Sequence, residues 1–354
     1  MNKLCEIIRR DATAILKKID FRELDGKTIL LTGASGLVGT YFLATLRELQ
    51  NKGMKIHIVA VVQSNFPEYL SYFGEHVHFM QGDLTSEKLL KSLPEADYII
   101  HAAGYGQPGK FLENPVKTIA LNTTSTIALF QKLKKDGKFL FVSTSEVYSG
   151  LETTPYTENM IGTTNTTHPR ACYIEGKRCG EAIVNAERDQ GVKAKSARLS
   201  LAYGPGTKRG DKRVINSFIE KALGGKIELQ DRGEARRTYC YISDAVEILF
   251  HILLSGKEPV YNVGGTSTVT IAKLAQTIGA LLKVPVIFPN TSAGAAGAPT
   301  DVRLDMTRVK NEFGKTDYVP LDRGVSRTIE WQKILYNSQK LDKKLNGVKT
   351  VEKI

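Results

Sequence analysis

Short runs of β-branched and apolar residues alternate along this chain with longer stretches in which apolar positions recur every three or four residues. The runs lie at 28–32 (TILLT), 56–62 (IHIVAVV), 77–80, 98–101, 139–142 and 196–200 (SARLS). They are continuous rather than alternating, as in strands buried on both faces, and the stretches between them have helical period. That rhythm predicts βαβ units and an α/β fold whose parallel sheet is covered by helices on both sides. From about Gly204 the rhythm loosens, with helices expected near 214–223, 244–254 and 271–282, and the second half reads as a smaller lobe closing over the first. Residues 1–25 scatter Leu4, Ile7, Ile8, Ile15, Leu16 and Ile19 among charges, the pattern of an amphipathic helix that packs on the domain after it. The expected plan is therefore a helix at 1–25, a first domain at 26–203, a lobe at 204–332 with 244–265 returning to the first core, and a Lys-rich tail at 333–354.

Composition adds boundaries to this picture. A chain of 354 residues with 42% hydrophobic and 24% charged residues can build a large core, so a mainly disordered state is excluded. No uninterrupted apolar stretch is long enough for a membrane span, and the first 25 residues lack the apolar run of a signal peptide. Cys5, Cys172, Cys179 and Cys240 are scattered without metal-binding spacing, so no metal site is expected and a cytoplasmic location is. The net charge of +12 suits either a nucleic-acid binder or an enzyme drawing in anions. Its basic residues are mostly interspersed with acids and no nucleic-acid motif accompanies them, so the anionic small-molecule reading is preferred. Residues 290–299 (NTSAGAAGAP) read as a flexible loop.

The first candidate chemistry follows the first strand. Gly33, Gly36 and Gly39 stand at the spacing GxxGxxG between a strand and a helix, around Ser35, Leu37 and Val38. Gly33 would permit the tight turn, Gly36 the approach of a pyrophosphate, and Gly39 close packing of helix on strand. The helix N-terminus would then face the phosphates. This predicts a Rossmann-type doubly wound sheet binding a dinucleotide, with a smaller C-terminal substrate-binding lobe. No acid lies between Glu48 and Glu68 to hold the adenosine ribose, and the second strand ends at Gln63, an uncharged hydrogen-bonding residue. No Arg is there to pair a 2′-phosphate either, so NAD is favoured over NADP.

Tyr173 and Lys177 stand four apart, on one face of a helix. Free, they titrate near ~10 and ~10.4, and a neighbouring cation would favour the phenolate. Thr144, Ser145 and Glu146 follow an apolar strand, at the carboxyl end of the sheet where open α/β folds bind ligands. A strand-end hydroxyl, a tyrosine base and a lysine, together with the glycine turn, point to hydride-transfer chemistry.

At these residues the chain resembles extended short-chain dehydrogenases/reductases that act on nucleotide sugars, the NAD-dependent epimerase/dehydratase family, over roughly residues 27–332. The strings Ser143-Thr144-Ser145-Glu146-Val147-Tyr148, Pro169-Arg170-Ala171-Cys172-Tyr173 through Arg178, Arg213-Val214-Ile215-Asn216 and Arg237-Thr238-Tyr239 are most similar to UDP-glucuronate decarboxylases. The resemblance implies that Thr144, Tyr173 and Lys177 oxidise a sugar C4 hydroxyl, with Glu146 assisting proton transfer at C5. The resulting β-keto acid would lose carbon dioxide before re-reduction. It further implies tightly held NAD contacted by Gln63, Asp83, Leu84, Ala102, Ala103 and Asn122 besides the glycine turn, Tyr173 and Lys177. Ser145, Arg213, Arg237 and Arg303 are its implied substrate contacts, and a homodimer is its implied assembly. Ser145-Glu146 replaces the Asp-Glu pair of the family's dehydratases. Leu201 stands where members usually carry a diphosphate-binding Asn, and Arg303 is one position off the decarboxylases' Arg-Lys-Pro. A nucleotide-sugar epimerase and a silent NAD(P)-binding module are the alternatives.

Overall fold

The computed structural model describes residues 1–106, 108–289 and 301–348. The loop expected at 290–299 lies outside them. Six apolar runs form strands β1 (Thr28–Thr32), β2 (His57–Val62), β3 (Val77–Gln81), β4 (Ala96–His101), β5 (Leu133–Thr144) and β6 (Lys193–Leu199). With the strand Val260–Val263 they make one seven-stranded sheet in the order Val260–Val263, β6, β5, β4, β1, β2, β3. Every pairing in it is parallel. Side chains on both faces are covered, as Ile29, Leu30 and Leu31, fully buried in succession, demonstrate. The chain leaves β1 towards β2 and β3 and later returns on the other side of β1 as β4. The carboxyl ends of β1 and β4 therefore flank the point where the winding reverses, the place at which such sheets open a ligand crevice.

The second half supplies a smaller sheet in which Arg236–Tyr241 pairs with Ser267–Thr270, Asp301–Val302 and Ala202–Tyr203. Helices Val214–Leu223 and Ile271–Leu282 pack beside it. Helix Ile242–Ser255 is buried on nearly all sides, its Phe250 ring meeting Phe21 and Phe42 edge-on at 5.0 and 4.6 Å. Among the described residues no helix is long and apolar enough to cross a membrane.

Both ends of the chain differ from the sequence expectation. The N-terminal helix is Lys3–Leu16 rather than 1–25, followed by a short 3-10 turn at Arg22–Leu24. Asp20 Oδ1 accepts the Arg22 backbone N–H at 3.0 Å, a local bond that competes with helix continuation. The last helix, Leu321–Val348, runs straight through residue 332, where a solvated tail was expected to begin. Trp331 and Leu335 are both buried and hold that helix down across the boundary.

The first helix is fastened to both halves through one carboxylate. Asp11, itself buried, accepts from Tyr41 at 3.0 Å and Tyr241 at 2.6 Å and pairs with Arg327 at 2.9 Å. Tyr41 belongs to the helix after the glycine turn, Tyr241 to the smaller sheet and Arg327 to the last helix. Asp11→Ala is expected to lower stability by about 2–4 kcal/mol, because it strands two hydroxyls and a guanidinium in the interior. The shift of the urea midpoint at unchanged m-value measures this.

Candidate active site

The glycine turn closes β1 directly over β4. Gly33 has φ +71°, and a Cβ there would lie 2.6 Å from the Ala102 carbonyl oxygen, so both backbone conformation and space demand glycine. A Cβ on Gly39 would collide with the Gly33 carbonyl, which is how helix Leu37–Asn51 can start so close to the strand. Gly36 caps that helix in extended conformation and its missing side chain leaves the first-turn N–H groups open to the crevice. Behind the turn, His101 donates Nε2–H to the Leu121 carbonyl at 3.1 Å, which leaves Nδ1 to accept from the Thr32 hydroxyl at 2.8 Å. Burial pulls its pKa down to about 3, so it is a neutral tie between β1 and the following helices.

In front of the turn lies a cleft of about 1170 Å³. Ser35, Leu37, Val38, Gln63, Asp83, Leu84, Ala102 and Ala103 all line it, together with Gly33, Gly36 and Gly39. Asn122, expected to join them, does not. It is fully buried, its Nδ2 donates to the Thr118 carbonyl at 2.8 Å, and it packs against Gly176. Close contact between helices Pro115–Asn122 and Ala171–Asp189 turns it away from the cleft.

Thr144, Ser145, Glu146, Tyr173 and Lys177 meet on the opposite wall. Thr144 ends β5, and its Oγ1 accepts the Glu146 N–H at 3.2 Å, closing the 3-10 turn Ser145–Tyr148. Tyr173 sits in the first turn of helix Ala171–Asp189, its ring stacked on Phe111 at 4.8 Å. One turn on, Lys177 Nζ donates to the Val142 carbonyl at 2.7 Å. The expected lowering of the tyrosine pKa by this lysine is not what the site does by itself. Burial, reinforced by the Glu146 charge, pushes Tyr173 up to about 12, against the pull of its bond with Thr144. Burial also drives Lys177 down to about 7, so the cation that was to act on the phenol is itself disfavoured.

Arg170 is not among the site residues that the resemblance implies. Standing three residues before Tyr173, one helical pitch away, it is the Ncap residue of the same helix and pairs with Glu146 in the cleft. Burial raises the Glu146 carboxyl although Arg170 opposes this. His168 also lines the cleft and accepts the Arg170 N–H at 3.1 Å.

At the far end, Arg213 and Arg237 face the cleft. Asp211 grips the Arg213 guanidinium through three contacts at 3.0, 3.1 and 2.5 Å, whereas among the described residues the hydrogen bond of Arg237 is to the Arg236 carbonyl, at 2.7 Å. Arg303 is not a lining residue. Asp301 and Thr154 hold its guanidinium, and Val302 reaches the cleft instead. Successive residues of a strand face opposite sides, so a shift of one position exchanges arginine for valine. Leu201 lines the cleft at φ +43°, a left-handed conformation unusual for leucine, and is 38% exposed.

A parallel sheet with a glycine turn at its switch point, facing a Thr–Tyr–Lys set, defines a dinucleotide-dependent enzyme of the short-chain dehydrogenase type. Residues 29–264 match the NAD-dependent epimerase/dehydratase family, and the chain belongs to it. It is 32% identical over 334 residues to UDP-glucuronic acid decarboxylase 1 of Danio rerio, covering 92% of this chain and 76% of that one. It is 30% identical over 302 residues to UDP-glucuronic acid decarboxylase 6 of Arabidopsis thaliana, covering 84% and 86%. In fold it is similar to the epimerase Mth375 of Methanothermobacter thermautotrophicus, with TM-score 0.76, 21% identity and coverage of 93% and 98%. The dTDP-glucose 4,6-dehydratase DesIV of Streptomyces venezuelae, solved with NAD bound, gives TM-score 0.75 at 21% identity, covering 88% and 98%.

A lysine buried beside a carbonyl has a stability signature. Its folded pKa lies below the unfolded value, so the cost of burying its charge is complete below about pH 7 and fades as pH rises towards the unfolded lysine pKa. Lys177→Met should therefore raise the Tm of the cofactor-free protein most at pH 6, with the gain shrinking steadily by pH 9. Thermal scans across that range provide the check.

Proposed function

We propose that this chain modifies a nucleotide-linked sugar by transient oxidation at C4, most like a UDP-glucuronate decarboxylase. The observation that carries the reading is the meeting of Thr144, Tyr173 and Lys177 at the carboxyl end of the sheet, across one cleft from the glycine turn. The cleft suits two ligands, being larger than the ~300–1,000 Å³ typical of a single small-molecule site. Dinucleotide binding is supported by the open Gly36 and by the free N–H groups of helix Leu37–Asn51. Gln63 at the end of β2, uncharged, favours NAD over NADP. When bound, NAD supplies a hydride acceptor and donor.

In this reading Tyr173 takes the proton of the C4 hydroxyl while Thr144 holds its oxygen, and Lys177 fixes the nicotinamide ribose. A positive ring brought beside Tyr173 favours the phenolate that burial alone opposes. A 4-keto sugar with a carboxylate on C5 is a β-keto acid. Its loss of carbon dioxide leaves an enolate whose oxygen the Thr144 and Tyr173 donors stabilise. Glu146, with its raised pKa, is suited to return a proton to C5. Arg213 and Arg237 are the proposed anchors of the substrate diphosphate. A nucleotide-sugar epimerase is the second reading, favoured by Val302 reaching the cleft where Arg303 was expected. A silent module would have no use for Thr144, Tyr173 and Lys177 together.

We also propose a homodimer, built on the helices beside Ala171–Asp189, where Val116 is 79% exposed and Ile119 and Ile127 are exposed as well. All four cysteines are free thiols, which fits the reducing cytoplasm.

Incubating the purified protein and NAD with a panel of nucleotide sugars, followed by mass spectrometry, tests the function. Loss of carbon dioxide from UDP-glucuronate is expected, and Tyr173→Phe should slow it by about 10²–10⁴-fold. A product of unchanged mass with altered ring couplings by NMR would make the enzyme an epimerase. No conversion of any member would overturn both readings.

A further inference from the structure

One charged pair in the cleft is incompletely satisfied. Arg170 and Glu146 hold each other through a single amino group and a single carboxylate oxygen. Among the described residues neither Arg170 Nε nor Glu146 Oε2, both buried, has a hydrogen-bond partner. The Arg170 side chain is 27% exposed, and its second amino group, Nη1, makes no hydrogen bond among the described residues, so that edge of the fork is the one a ligand in the cleft can complete. The Arg170 guanidinium lies over the Phe111 ring, 5.6 Å from its centroid, and Tyr173 is stacked on that same ring. The arginine is thereby held beside the phenol that would meet the sugar C4 hydroxyl.

The cations around it point to the charge of the missing partner. Burial disfavours the Arg237 charge, Asp301 nearby favours it, and Arg170 adds a weaker repulsion. An anion between the two arginines would relieve that repulsion and offset the burial. The strand Asp301–Val302 contributes no cation to the cleft, because Arg303 is held by Asp301 and Thr154. Arginine is also the side chain whose planar fork matches a carboxylate.

We infer that Arg170 is a substrate-specificity residue that holds the C5-linked carboxylate of a uronic-acid nucleotide sugar through its second amino group, while its paired amino group keeps Glu146 in place. This rests on the nucleotide-sugar reading and adds to it the residue that separates acidic from neutral sugars. The arginine fork bridges two carboxylates, one from the enzyme and one from the substrate. Glu146 therefore competes with the substrate for Arg170 as well as sharing it.

Calorimetric titration of UDP-glucuronate and UDP-glucose into the NAD-loaded protein tests the assignment, in a Tyr173→Phe background so that turnover is slow against the titration. UDP-glucuronate should bind more tightly than UDP-glucose. Adding Arg170→Gln should reduce the affinity ratio of acidic to neutral sugar by about 10- to 100-fold, the range for a hydrogen-bonded charge, and Arg170→Lys should recover only part of it. Adding Glu146→Gln instead should raise the ratio, by removing the competing carboxylate; this arm stands if the arginine variants fail to fold. If both sugars bind and neither Arg170→Gln nor Glu146→Gln moves the ratio, the role of Arg170 is wrong while the nucleotide-sugar reading survives. If neither sugar binds the starting protein, the reading and the inference fall together.

Discussion

Helix Ala171–Asp189 lies on β5 with almost no space between them, and the position of every proposed catalytic group follows from that contact. A Cβ on Gly180 would run into the Phe141 ring, so glycine there lets the helix settle onto the strand. Gly176 opens the neighbouring turn to Asn122. Next to Gly180, Glu181 accepts from Ser143 at 2.5 Å and is clamped by Arg198 of β6 at 2.7 Å, an ion pair buried on both sides. These contacts leave one register for the helix. Tyr173, Lys177, Gly180 and Glu181 share its sheet-facing side by ordinary helical spacing. Lys177 thus meets the Val142 carbonyl and the Phe141 ring, and Tyr173 is carried beyond the strand end to Thr144.

The same burial sets the electrostatics. It raises the phenol and depresses the ammonium, so both groups are held towards their neutral forms. A cationic nicotinamide would shift the first of these balances and make base catalysis available only when the site is loaded. At the other end, Asp211 neutralises Arg213 in an ion pair, whereas among the described residues Arg237 bonds a backbone carbonyl and feels Asp301 only at longer range. The excess positive charge that composition left open between nucleic acid and small anions thus has an internal counterpart, a cleft lined by cations whose charge suits an anionic ligand.

Much of the architecture was legible because it is written in local patterns. Buried strands leave apolar runs, and the helices Val214–Leu223 and Ile271–Leu282 leave a helical period. The glycine turn was legible because a positive φ at Gly33 and a collision at Gly39 tolerate no other residue. What was not legible depended on orientation in space. Asn122 stands at the expected place in the chain but is turned into a helix–helix contact, and Arg303 misses the cleft by one residue of strand alternation. Arg170 lay in plain view beside Tyr173. Its half-occupied fork emerges only when Glu146, 24 positions earlier in sequence, is brought opposite it. The helical course of the chain past residue 332 came from a buried face that continues from Val325 and Ile329 through Trp331 to Leu335, with polar residues between them.

The central claim is that Thr144, Tyr173 and Lys177 pass the C4 hydrogen of a nucleotide sugar to a bound cofactor and back again. The most direct test is turnover of UDP-glucuronate carrying deuterium at C4, with the product examined by NMR. The account predicts that the label is found on C4 of the product, because the hydride leaves and returns within one closed cleft. Product in which the C4 label has exchanged with solvent hydrogen would contradict it.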